Sequence, residues 1–290
     1  ENKEKLEKLL LDLMGGENNK LSAICNVIQN SWESSMNLEK DGLSKHMSLS
    51  FIPEDAYVEC GDYSVDELIN YLSSELPSIN KIEVLAKGIM FQVMRMLSWR
   101  VDNYLGNDKK AWIVDMKGST TDTVKKIAAD NYRNIEDGFM TALNKSAREI
   151  GIADSEYMTK LNKAKKSSLD LFRTKGKELQ CIIPTNGQFE RFSLSEDVIR
   201  FLVLSLVPPK KKMTLNMFLE KLYRHYGIVI GPEEYRKSID NGSKLEASLS
   251  NSFTENVNAF QAFLKATGFL RELSDATSIV VNPYNNVLED

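Results

Sequence analysis

The sequence predicts a mainly α protein in two parts, and three observations carry that prediction. Apolar residues recur at helical spacing through most of the 290 residues. Alternation of the strand type is confined to short stretches. The pattern changes character at Gly176, so residues 1–176 read as a helical domain with a minor β element and residues 177–290 as a second domain.

In chain order, Leu6, Leu9, Leu10 and Leu13 form one apolar stripe, ended by Gly15 and Gly16, and a second helix is expected over residues 21–32. Residues 47–60 alternate like two short strands about a Pro-Glu-Asp turn. Ser64 and Glu67 make a capping box ahead of Val65, Leu68, Ile69 and Leu72, which places a helix start at that point. Residues 82–104 are apolar almost all round, including Val84, Leu85, Phe91, Met94 and Trp99, so this helix is expected to be buried on several sides. AWIVDM, residues 111–116, is short and β-rich and reads as a strand. A long helical pair follows over residues 121–174 and is broken at Gly151. Val124, Ile135, Phe139 and Leu143 mark the inner side of its first helix, and Leu161, Ala164, Leu169 and Phe172 that of its second. Such a pair is either a packed hairpin or a coiled arm.

Past Gly176, KELQCIIP and QFERFSL are two strand-like runs joined through Thr185, Asn186 and Gly187, a hairpin signal. Ser193 and Glu196 form another capping box before Val198, Phe201, Leu202 and Leu206, and Pro208 and Pro209 stop that helix. Thr214 can cap the next helix, which carries Leu215, Phe218, Leu219 and Leu222 inward and closes at Gly227. After a β-like Ile228, Val229 and Ile230 the chain is polar through Ser250. A third helix is expected from Thr254, with Val257, Phe260 and Leu264 inward, and FLREL and TSIVV then make a final hairpin around residues 274–276.

Three helices followed by a two-stranded wing is the element order of the winged helix-turn-helix family, which residues 193–283 resemble at the level of pattern. The polar insert at residues 228–253 is longer than the compact turn of the usual module. The resemblance implies that the third helix presents its open side to a ligand. Thr254, Asn258, Gln261 and Lys265 share that side, and amides and a cation suit base edges and phosphates. The same residues also suit the solvated side of any amphipathic helix. Whole-chain architecture is similar to accessory, non-catalytic parts of prokaryotic DNA-handling systems such as restriction or phage defence.

Charge sharpens the choice of surface. The chain carries 37 basic and 41 acidic residues, so any nucleic acid must be met by a local patch rather than by net charge. From residue 193 to the end, 11 basic residues face 12 acidic ones, a balance that fits protein docking at least as well as DNA. Residues 145–177 instead hold 9 basic and 4 acidic residues, a local +5, with Lys160, Lys163 and Lys166 on the side away from Leu161 and Leu169. Those three lysines are the candidate phosphate contacts, against the reading that they merely solvate a helix.

One segment suggests catalysis. Asp115 and Lys117, at the end of an apolar strand, resemble the D-x-K half of the restriction-type nuclease motif, in which the carboxylate holds a metal and the lysine steadies the attacking water. A strand-end salt bridge is the other reading of the pair. His46 and His225 are the only histidines, the three cysteines are scattered, and no phosphate-loop or dinucleotide fingerprint occurs, so no metal or other cofactor is expected. Cysteine usage points to a reducing cytoplasm, and the amphipathic opening ENKEKLEKLLLDLMGG is neither a signal peptide nor a membrane span. Because the chain opens on Glu1, it is expected to be a trimmed chain or a piece of a longer protein. The sequence thus predicts a non-catalytic cytoplasmic subunit that docks on nucleic acid or on partner proteins and not on membrane, with a metal-dependent nuclease as the alternative.

Overall fold

The computed structural model describes residues 2–15, 61–118, 123–239, 246–273 and 277–284. The helix expected at 21–32 and the strand pair at 47–60 lie outside the described residues, as do His46, Cys25 and Cys60. What is described is predominantly helical, with short strands between helices. No described helix is long and apolar enough to cross a membrane.

Helix α1 (Asn2–Gly15) packs on α2 (Gly61–Leu72). The second of these begins three residues before Ser64, so Ser64 lies inside it rather than at its cap. Helix α3 (Ser78–Leu105) runs through the centre and ends at Gly106, whose left-handed φ of 74° lets its N–H bond back to Asn103. It crosses α7 (Glu196–Leu206) at Gly88, where a Cβ would stand 2.1 Å from the Phe201 ring. Phe201 is fully buried and cannot step aside. Gly88→Ala is therefore expected to destabilise by about 1–3 kcal/mol through overpacking, read as a lower urea midpoint; an unchanged midpoint would mean that this crossing has slack.

Strand β1 (Trp112–Ile113) leads to α4 (Thr123–Glu149), and α5 (Asp154–Lys165) returns along it. Leu143, Leu161 and Ala164 form a buried cluster and Tyr157 donates to Asn144 at 2.9 Å, so the pair is a packed hairpin, not a free arm. A π-helical turn at Lys166–Asp170 joins α5 to α6 (Leu171–Glu178). This turn shifts the register of the stripe, so Leu169 and Phe172 enter the main core while Leu161 does not.

Strands β2 (Ile182–Ile183) and β3 (Arg191–Phe192) pair antiparallel, leaving residues 184–190 as their loop. Asn186 and Gly187 thus sit inside a wider loop instead of forming a two-residue turn. Helix α7 follows with Ser195 at its N-cap, and Ser193 donates its hydroxyl to the Asp115 carbonyl. Beyond it come β4 (Lys212–Thr214), α8 (Leu215–Tyr226) and β5 (Ile228–Val229). Thr214 caps α8 by accepting from the Met217 N–H, as the sequence predicts. Then follow α9 (Pro232–Ile239), which the polar stretch hides, and α10 (Ala247–Ala266), which starts two turns before Thr254. Strands β6 (Leu270–Glu272) and β7 (Ser278–Val281) complete a three-stranded antiparallel sheet of order β4-β7-β6.

The boundary expected after residue 176 falls within α6. One buried cluster runs from Leu13 to Val280 across it, and β1 pairs in parallel with β5, Trp112 opposite Ile228. At its centre Trp112 stacks on Phe192, with ring centroids 4.2 Å apart and planes 5° from parallel. Phe91 and Phe172 meet the same indole edge-on, each at 5.7 Å, and the Arg95 guanidinium lies 4.1 Å from the ring.

Candidate nucleic-acid interface

The lysines of the helical pair divide by what they touch. Lys160 pairs with Glu156 one turn earlier at 2.6 Å. Lys175 is held by Glu178, and Lys177 and Arg173 both engage Glu190 of the β2–β3 loop. Burial alone would raise the Glu190 pKa, but Lys177 and Arg173 outweigh it and hold the carboxyl below its ordinary range. Lys163 and Lys166 are exposed and form no ion pair with a described residue. These basic residues of the segment thus divide into Lys160 and Lys175, paired along their own helices, Arg173 and Lys177, which brace a loop, and Lys163 and Lys166, left facing water.

On α10, Phe253, Asn256, Phe260 and Leu264 form the buried face, while Val257 is only half-buried. Thr254 and Asn258 are exposed, and the Thr254 hydroxyl donates back to Ser250. Gln261 donates to the Ser278 hydroxyl at 2.7 Å and Lys265 pairs with Glu272 at 2.6 Å. Two of the four expected contact residues therefore brace the helix against the β6–β7 hairpin. Thr254 also borders a cleft of about 390 Å³ with Asn216, Glu220, Glu233, Glu234 and Lys237. Glu234 is buried there, and burial raises its pKa, opposed by its own N–H and by Lys237. An acidic cleft beside the open face of α10 disfavours phosphate at that spot.

Asn256 is the residue that sequence reasoning misses. Wholly buried, it accepts from the Met116 N–H at 2.8 Å and donates to the carbonyls of Val114 and Ile230, each at 2.9 Å. It bolts α10 onto the segments that follow β1 and β5, and its place on the inner face of the helical pattern is the only sequence signal it leaves.

Asp115 is 1% exposed. One carboxylate oxygen lies 2.7 Å from Arg191 Nε, and the other accepts from the Lys117 and Gly118 N–H groups. Lys117 turns away to pair with Glu255 of α10. Asp102, an upstream acid, accepts from the Lys110 N–H, and burial raises its pKa against Lys110 and Arg95. The structure brings Asp115 to Arg191, and among the described residues no three His, Cys, Asp or Glu side chains are grouped to hold a metal. Cys181, fully buried, has its thiol pushed up to about 12 by burial, so it carries no thiolate at neutral pH.

A further cleft of about 470 Å³ opens between α4 and the β2–β3 loop. Lys125 and Lys126 of α4, Pro184, Gln188 and Phe189 of the loop, and Arg191 line it.

No family model, characterised protein or solved structure matches this chain. Geometry and charge alone therefore support a functional reading.

Proposed function

We propose that the chain is a non-catalytic binding subunit that holds nucleic acid through the α5 lysines and docks on a partner protein through a winged-helix-like C-terminal module. The observation that carries the first half is the exposed pair Lys163 and Lys166, unspent on any described acid in a segment of local charge +5, with Lys160 beside them. Such a surface tracks a phosphate backbone without reading bases. Support for the second half comes from topology. With β5 and α9 set aside as an insert between α8 and α10, helices α7, α8 and α10 and strands β4, β6 and β7 follow the order of a winged helix, and β4 pairs with the outer hairpin through β7. The braced, charge-balanced face of α10 suits a protein better than a duplex.

Lys160, Lys163 and Lys166 together changed to Ala are expected to weaken binding to duplex DNA and RNA and to flatten its salt dependence, by about 0.9 in the log–log slope for each duplex phosphate no longer neutralised. Asn258→Ala and Gln261→Ala are expected to leave base preference unchanged. Fluorescence anisotropy at several salt concentrations reads both. Equal affinity and slope in the triple variant would remove the nucleic-acid half of the proposal, and a changed base preference in the α10 variants would reassign that helix to base readout. Magnesium-dependent cleavage lost in Lys117→Ala would replace the binding reading by the nuclease one.

A further inference from the structure

Phe189 is the most exposed large apolar side chain among the described residues, at 67%. Its backbone φ is +65°, a left-handed conformation that a bulky side chain rarely adopts. Neither feature helps the fold, since the ring stays in water and the backbone is strained. Residues held in this way cluster where ligands are gripped. The loop is nonetheless firmly seated. Next to Phe189, Glu190 is clamped by Arg173 at 3.2 Å and by Lys177, and Arg191 is anchored to Asp115 at 2.7 Å.

Charge around the ring is one-sided. Lys125 and Lys126 line the same cleft and pair with no described acid, and among the described residues no acidic side chain lines it. The third cation, Arg191, is already neutralised by Asp115. An open aromatic face beside two unspent ammonium groups complements a planar ring joined to a phosphate. The volume, about 470 Å³, is in the range of small-ligand sites.

We propose that this cleft binds a nucleoside phosphate unit, with its base stacked on Phe189 and its phosphate held by Lys125 and Lys126. The unit is either one nucleotide of a single strand or a free nucleotide. This goes beyond the function proposed above, because none of the lining residues belongs to α5 or α10.

The test titrates the full chain with labelled single-stranded oligothymidylate by anisotropy and with AMP and ATP by calorimetry. Phe189→Ala is expected to weaken binding about 5- to 150-fold, the range for loss of one stacked base. Phe189→Trp is expected to restore it. Changing Lys125 and Lys126 together to Ala is expected to lower the salt slope on a single strand by about 0.7 for each phosphate no longer held. Phe189→Gly, which fits the left-handed backbone, is expected to lose binding while melting no lower than the unaltered chain, which separates a ligand role from a structural one. Binding of the oligonucleotide alone assigns the cleft to a strand, and binding of mononucleotides assigns it to free nucleotides. No binding of either, or affinities unchanged in the Phe189 and lysine variants, overturns the proposal. If the α5 triple variant loses oligonucleotide binding while the Phe189 variants keep it, this proposal falls and the α5 reading stands; the reverse pattern has the opposite meaning.

Discussion

Asp115→Ala is expected to cost about 3–5 kcal/mol of folding stability, the penalty for stranding one partner of a buried ion pair. Side chains of Arg191 and Asp115 are only 8% and 0% exposed, so the guanidinium left behind would lose its partner where water barely reaches. Two backbone N–H groups, of Lys117 and Gly118, would lose their acceptor as well. Because whole domains are stable by only about 5–15 kcal/mol, a loss of this size is a large part of the total. Urea unfolding measures it. Asp115→Ala combined with Arg191→Met is expected to recover part of the loss, since replacing both charges by apolar groups removes the uncompensated one. The pair also decides between two uses of the carboxylate. An Asp115→Ala protein with an unaltered midpoint would show that the residue is no anchor, and its carboxylate would again be open to chemistry.

That anchor shows where sequence reading reaches its limit. Features set by neighbours in the chain were legible: the Thr214 cap, the closing glycine Gly227, and the final hairpin of β6 and β7. Each depends on hydrogen bonds made within a few residues, so local pattern suffices. Features set by distant partners were not. Asp115 followed by Lys117 fits a catalytic pair or a salt bridge equally well until Arg191 and Glu255 are placed. Asn256 reads as an ordinary polar residue until the carbonyls of Val114 and Ile230 are seen to need its amide. Gln261 and Lys265 occupy the open side of α10 as the periodicity implies, but periodicity cannot show that Ser278 and Glu272 stand opposite. Phe189 was hidden in the same way. In QFERFSL it reads as a strand residue, whereas the pairing of Ile183 with Arg191 ends the strand short of it and leaves it in the loop.

Trp112→Ala is expected to be comparably severe, at about 3–5 kcal/mol, the range for truncating a large buried aromatic. The indole is 1% exposed, and segments far apart in the chain converge on it. Phe91 comes from α3, Phe172 from α6 and Phe192 from β3, while Arg95 lies over its face and Ser98 meets Nε1 at 3.4 Å. Removing the ring opens a cavity that these neighbours cannot all collapse into, and it takes from Arg95 one of its two aromatic platforms. Trp112→Phe keeps a stacking face and is expected to lose less. The distribution of the damage is as informative as its size. Phe172 and Phe192 flank residue 176 and touch the same indole, so hydrogen exchange in Trp112→Ala should speed up in α7 as well as in α3. Faster exchange confined to residues before 176 would instead mean that the two sides of the chain unfold independently. Loss of protection on both sides would show one cooperative unit, in which the chain before and after residue 176, the Phe189 loop included, is positioned by the same core.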